Sequence, residues 1–276
     1  MEAIGKRIDT DPRLSEVVGH FYLITTPADY QPSHHYLSPS LEMMVVFNFS
    51  DPFSFSFAQA KADQRMIERV GIIGPIRQLI HYQVNPQADL LIIPFIYNGF
   101  YRFLSLSMGE QAHVLSEADL LKHIELLEAL WEKLAAISHP EKRVEFLQAY
   151  LIDHITQTDE RAFPLLAHVP AIHNPRVNPV QVMAGSTSLT ERTIQLRFKK
   201  YVGYSLKELV RFLRFKQVVS SILRKNSQKI DWMQIASTFG YFDQSHLIKD
   251  FTYYTGVSPK EFLKLNETGN FCVSRD

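Results

Sequence analysis

The chain has one cysteine, Cys272. An internal disulfide is therefore excluded, and so is a zinc or iron–sulfur centre built on several thiolates. No apolar run approaches the ~20 residues that a membrane-spanning helix needs. The opening stretch, Met1 to Asp9, lacks an apolar core followed by a small-residue cleavage site, so no export signal is expected. These absences predict a protein of the reducing cytoplasm with no membrane partner. There is no Gly-x-Ser-x-Gly elbow, no phosphate-cradling glycine loop and no helical histidine pair. Nothing in the sequence asks for a metal or a cofactor, and no catalytic residue is assigned.

What remains is a 276-residue chain, 46% apolar, long enough for two domains with a core in each. Its net charge is zero, with 29 basic and 29 acidic residues, but the charge is unevenly placed. From Asn178 to Leu265 there are 14 Lys and Arg against 6 Asp and Glu, a surplus of eight that the rest of the chain offsets. A basic segment of this size is the footprint of a nucleic-acid binder. The competing explanation is a surface imbalance with no partner.

Residues 1–108 read as short strands broken by turns. The runs are His20 to Thr25, Met43 to Phe49, the alternating Phe53, Phe55 and Phe57, Ile72-Ile73, Leu79 to Val84 and Leu90 to Phe95. Strands at this spacing predict a small β-barrel or sandwich of cupin-like type, able to enclose one small ligand. Its candidate ligand-facing residues are His34, His35, Arg77 and His81. The metal-binding cupin pattern needs His-x-His, and adjacent histidines on a strand point to opposite sides. Flanked by Pro32, Ser33, Ser38 and Pro39, the pair reads as a loop. Metal binding is not expected there. A cupin-like enzyme or a small-molecule-binding protein is the rival function.

Residues 109–160 read as a helical linker. Ser116 opens a helix in which Leu120, Ile124, Leu127, Trp131 and Leu134 share one seam. The seam either packs within the chain or joins two copies through residues 116–137. A second helix, from Glu141 to Ile155, carries Val144, Leu147, Leu151 and Ile155 on one face.

Residues 161–268 read as wholly helical, ahead of a tail at 269–276. Thr190 caps a helix with Ile194 and Phe198 inside, ended by Gly203. Ser205 starts a long helix bearing Arg211, Arg214 and Lys216. A short helix follows near Ile230 to Ala236. After Gly240, Asp243 caps a helix whose buried stripe is Leu247, Phe251 and Tyr254. Gln244, Ser245, His246 and Lys249 fall off that stripe, a set suited to base edges and phosphates or simply to water. A short helix, a turn and a capped helix thus occur twice around one long helix, as in paired helix-turn-helix elements.

The second unit contains Ile235-Ala236, Gly240-Tyr241-Phe242-Asp243-Gln244-Ser245-His246-Leu247, Phe251, Gly256-Val257-Ser258-Pro259 and Phe262. The first contains Ala184, Leu189 to Gln195 and Phe198 to Gly203. Together they resemble the AraC/XylS family of bacterial transcription regulators. More weakly, the N-terminal part resembles the β-rich sensor domains found ahead of that module. The resemblance implies an α+β two-domain protein: a sensor or dimerisation domain, a helical linker and an all-α double helix-turn-helix. It implies double-stranded promoter or operator DNA as partner, a small-molecule effector, homodimerisation, and RNA polymerase if the protein activates. Position by position, it makes Arg192, Gln195 and Leu196 base-facing on the first reading helix, with Thr193 and Lys199 beside the backbone; by their chemistry Lys199, Lys200 and Lys249 suit phosphates. On the second helix it implies Gln244, Ser245 and Lys249, with His246 adjacent. Leu196 and Lys249 depart from the arginines frequent at these places, which removes a two-pronged donor from each.

Overall fold

The computed structural model describes residues 5–58, 63–106, 117–155, 179–224, 230–267 and 271–272. The N-terminal strands are β1 (Gly5–Asp9), β2 (His20–Thr25), β3 (Ser33–Leu37), β4 (Met43–Asn48), β5 (Phe53–Phe57), β6 (Arg65–Ile67), β7 (Val70–Ile73), β8 (Ile80–Val84) and β9 (Asp89–Phe95). They form two sheets rather than one closed barrel. One sheet has the order β1-β2-β9-β4-β7; the other is β3-β8-β5-β6, with β10 (Phe271–Cys272) added parallel to β3. Phe271 and Cys272 are therefore part of the second N-terminal sheet.

The continuous apolar runs of β4 and β9 have a simple cause. Met43, Val45 and Phe47 enter one core cluster while Met44 and Val46 enter another. Leu91, Ile93 and Phe95 divide from Leu90 in the same way. Each face of this sheet is covered, one by the second sheet and the other by helices, so period-two alternation disappears from the sequence. The covering helices are α1 (Gly99–Leu104), α2 (Glu117–Ala135) and α3 (Pro140–His154). Phe100, Leu127, Leu130, Leu134, Val144, Leu147 and Leu151 pack there. Buried polar groups pin the layer in place. Trp131 Nε1 donates to Asn48 O at 2.7 Å. Arg143 donates to both Asp89 carboxylate oxygens and to the Leu134 and Ile137 carbonyls, with its guanidinium 4.0 Å from the Phe49 ring centre.

Two expectations change here. His34 and His35 stand on β3, not in a loop; Pro32 and Pro39 lie just outside its ends, where a missing N–H costs no ladder bond. The α2 seam is Leu127, Leu130 and Leu134, buried inside the same chain, whereas Ile124 is exposed. Ser116 and the Leu120 side chain lie outside the described residues. Ile124 and Leu126 are the large apolar residues left exposed on this helix among the described residues.

The C-terminal helices are α4 (Pro179–Ser186), α5 (Glu191–Val202), α6 (Leu206–Arg224), α7 (Trp232–Thr238), α8 (Gln244–Thr255) and α9 (Pro259–Glu267). They share one core that includes Ile194, Phe198, Phe212, Phe215, Leu247, Phe251 and Phe262. Leu41, from the turn before β4, is buried in that same core. None of the helices is long and apolar enough to cross a membrane, among the described residues.

Candidate nucleic-acid interface

Helices α5 and α8 are built alike. Thr190 Oγ1 accepts from the Thr193 N–H at 3.2 Å, and Asp243 Oδ1 accepts from the His246 N–H at 2.7 Å. Both caps have extended backbone, as helix N-caps require. Both helices close on a left-handed glycine, Gly203 (φ 88°) and Gly256 (φ 75°), whose N–H groups bond to Lys199 O and Thr252 O. Ile194 and Phe198 are fully buried on α5; Leu247, Phe251 and Tyr254 are buried on α8. The expected stripes are thus in place.

The opposite faces are open. Arg192, Gln195 and Leu196 are exposed on α5, Leu196 to 62% although it is apolar. Gln244, Ser245, His246 and Lys249 are exposed on α8. These groups lie in the first two turns of each helix, the part that enters a groove when a helix-turn-helix docks. The His246 ring rests edge-on against Tyr241 at 5.1 Å. Thr193 is less available: its hydroxyl is 2.9 Å from that of the cap residue Thr190. Lys199 is half-buried. Lys200 points its ammonium at the rings of Tyr201 and Tyr101, 5.2 and 5.9 Å from their centres, and so toward the N-terminal helix α1.

Much of the basic character of α6 serves packing. Arg211 Nε donates to Asp250 Oδ1 at 2.8 Å and its guanidinium covers Tyr253 at 4.3 Å. Arg214 covers Tyr241 at 5.2 Å. Burial, with the nearby Asp250 carboxylate adding to it, pushes the Tyr241 hydroxyl up from its ordinary pKa. Charge counting alone cannot separate such structural arginines from DNA-facing ones. One residue was missed by periodicity: Phe242 is 93% exposed. It precedes the cap, where an apolar residue often staples back onto the helix, and it does not do so.

The four ligand-facing candidates do not meet. His34 is exposed and His35 is buried, on opposite faces of β3. His35 Nε2 lies 2.6 Å from Ser33 Oγ, which is 2.5 Å from Tyr30 Oη, and burial holds the imidazole pKa below its ordinary value. His81 sits edge-on to Tyr36 across the other face. Arg77 is engaged with the C-terminal helices: its Nε donates to Glu208 Oε1 at 2.9 Å and its Nη2 to Gly203 O at 3.1 Å. Among the described residues, no three His, Cys, Asp or Glu side chains are grouped so as to hold a metal ion.

Comparison with known proteins finds two family matches and several distant structural likenesses. A helix-turn-helix domain family matches residues 183–265, and a domain of unknown function, DUF6597, matches residues 6–115. No curated protein sequence matches the chain. Among solved structures, ToxT from Vibrio cholerae O395 is similar at 14% identity over 85% of this chain and 97% of that one, with a TM-score of 0.40. ToxT from the same strain bound to (E)-4-(8-methylnaphthalen-1-yl)but-3-enoic acid overlaps 95% of this chain and 99% of its own, at 11% identity and a TM-score of 0.40. The AraC-like transcriptional activator CuxR overlaps 74% and 77%, at 9% identity and a TM-score of 0.26. These likenesses are distant, and no residue role is carried across from them.

Proposed function

We propose, for a chain that belongs to the AraC/XylS family of DNA-binding transcription regulators, that α5 and α8 read two successive major-groove segments of one promoter or operator. The observation that carries this reading is the pair of capped helices with buried stripes and open polar faces. Arg192 suits a guanine edge, Gln195 and Gln244 suit adenine edges, and Leu196 suits a thymine methyl. Ser245 and His246 add contacts of either kind. Lys249 is a point charge on an exposed helix face, suited to phosphate. Thr193, Lys199 and Lys200 take lesser backbone roles, since the first is spent on the cap and the last leans toward Tyr101.

Residues 1–108 form the sensor or dimerisation domain, residues 109–160 a helical connection whose α2 and α3 pack on it, and residues 161–268 the DNA-binding domain. The protein regulates rather than catalyses, and acts in the cytoplasm. A small-molecule effector would change promoter occupancy by its differential affinity for two arrangements of the DNA-binding units. RNA polymerase is a partner if the outcome is activation.

Selection of bound sequences from random duplex DNA tests the reading. The expected product is a site with two conserved segments about one helical turn apart, ~10 base pairs. A pool that stays unenriched would overturn it.

A further inference from the structure

Besides the contacts of Leu41 and Tyr101, the N-terminal domain touches the C-terminal domain through a short stretch between β7 and β8. Ile76, fully buried, is tied on both sides: its N–H donates to Glu42 O at 3.0 Å, and its carbonyl accepts from Ser40 N and Leu41 N at 3.2 and 3.1 Å. This stretch is therefore an anchored part of the sheet domain. From it, Arg77 reaches Gly203 O, the carbonyl of the residue that closes α5. The same guanidinium holds Glu208, which caps α6 by accepting from Ser205 N at 2.8 Å. Two residues on, the Leu79 N–H donates to Tyr254 O, in the last turn of α8, at 2.8 Å. Leu79 O in turn accepts from Ala58 N at 2.8 Å, and Ala58 lies against Gly256, where an added Cβ would come within 2.9 Å of the Ala58 Cβ.

One anchored stretch thus takes up carbonyls at the C-terminal ends of both reading helices. Carbonyls of the last turn have no partner within their own helix, and a cation is favoured there. Arg77 and Leu79 are two residues apart, so their backbones are separated by at most about 7 Å. The docking covers the far ends of α5 and α8 and leaves Arg192, Gln195, Gln244 and Ser245 exposed. It holds the helices without hiding what they would read.

We propose that residues 76–79 are a positioning clamp that fixes the separation of the two reading helices, with Arg77 its principal side chain. The proposal rests on the DNA-reading assignment above. The docked arrangement is then the DNA-competent one, and the N-terminal domain contributes to operator recognition without touching DNA. Linking helix α6 joins the two units along their length; the clamp joins their ends a second time.

The test uses the full chain, the selected operator, and operators with one or two base pairs inserted or removed between the half-sites. Two variants attack the contact from opposite sides: Arg77→Met, which keeps the stem, and Glu208→Gln, which leaves the sheet domain untouched. Both should bind the native spacing about tenfold more weakly, as expected from losing a hydrogen bond to a charged group. Both should also lose proportionately less on the altered spacings, and Arg77→Lys should recover part of the discrimination. A merely structural defect would weaken all spacings alike, and that result in both variants overturns the clamp. Tighter binding by either variant also overturns it, because the contact would then be inhibitory. A wild-type chain with no sequence preference defeats the DNA reading itself, a result separate from unchanged spacing discrimination.

Discussion

Arg211, on α6, donates to Asp250 on the buried side of α8 at 2.8 Å. Asp250 is 1% exposed. Desolvation works to lower the Arg211 pKa, but the Asp250 carboxylate outweighs it and holds the pKa above the ordinary value. Arg211→Ala would leave a buried carboxylate without its cation, at a cost of roughly 3 kcal/mol. Denaturant midpoints of the purified variant check this. Arg211→Lys should recover only part, since an ammonium lacks the planar fork and covers Tyr253 less well.

Base-reading and phosphate-holding residues separate by their response to sequence and salt. Arg192→Ala is expected to weaken operator binding by about 1–3 kcal/mol and to relax preference at one base pair. Lys249→Ala is expected to weaken binding on all sequences alike, and to lower the slope of log affinity against log salt by about 1. Competition assays on single-base operator variants over a range of salt distinguish the two. Sequence-blind loss in Arg192→Ala would remove its base-contact role.

The cap of α8 sits at the end that carries Gln244 and Ser245. Asp243→Ala should cost about 1 kcal/mol of stability, read from thermal or denaturant unfolding. Asp243→Ser should stay close to the parent, because a hydroxyl also accepts from the first-turn N–H groups. Affinity for DNA should fall further than stability alone explains, since Gln244 and Ser245 sit in the frayed turn.

The Glu208 contact carries a pH signature. Burial works to raise its pKa, but the Ser205 N–H and the Arg77 guanidinium outweigh it and hold the pKa below the ordinary 4.5. Tyr204, also beside it, is buried, and its own pKa is raised first by that burial. A lowered folded-state value means that the stabilisation is complete above pH 4.5 and is lost as pH falls through the folded value. Stability measured from pH 6 downward should therefore fall less steeply in Glu208→Gln than in the parent below pH 4.5. Parallel curves would show that Glu208 contributes no such linkage.

The helical domain was largely legible in the sequence because its signals are local. Thr190, Asp243, Gly203 and Gly256 mark helix ends by side-chain chemistry or positive φ, and the stripes follow from period. Strand β2 matches the sequence reading from His20 to Thr25. Strands β1, β3 and β6 did not announce themselves, because charged, histidine-rich or very short segments are held by their neighbours rather than by an apolar pattern. The candidate interface was half legible. Exposure of Gln244 and Ser245 followed from their place off the stripe. The inward use of Arg211 and the capture of Arg77 by Glu208 are contacts over 39 and 131 residues of sequence, which no local pattern records.

Strand β4 gives alternate side chains to two different cores, one under the second sheet and one under α2 and α3. The sheet of β4 and the helical layer thus share one core, and a chain cut at residue 108 is expected to lose part of it. A fragment ending there would lose the α2 and α3 side of the core around Val45, Phe47 and Leu91, leaving an apolar sheet face as a template for self-association. A soluble sensor fragment should have to extend through α3, to about His154.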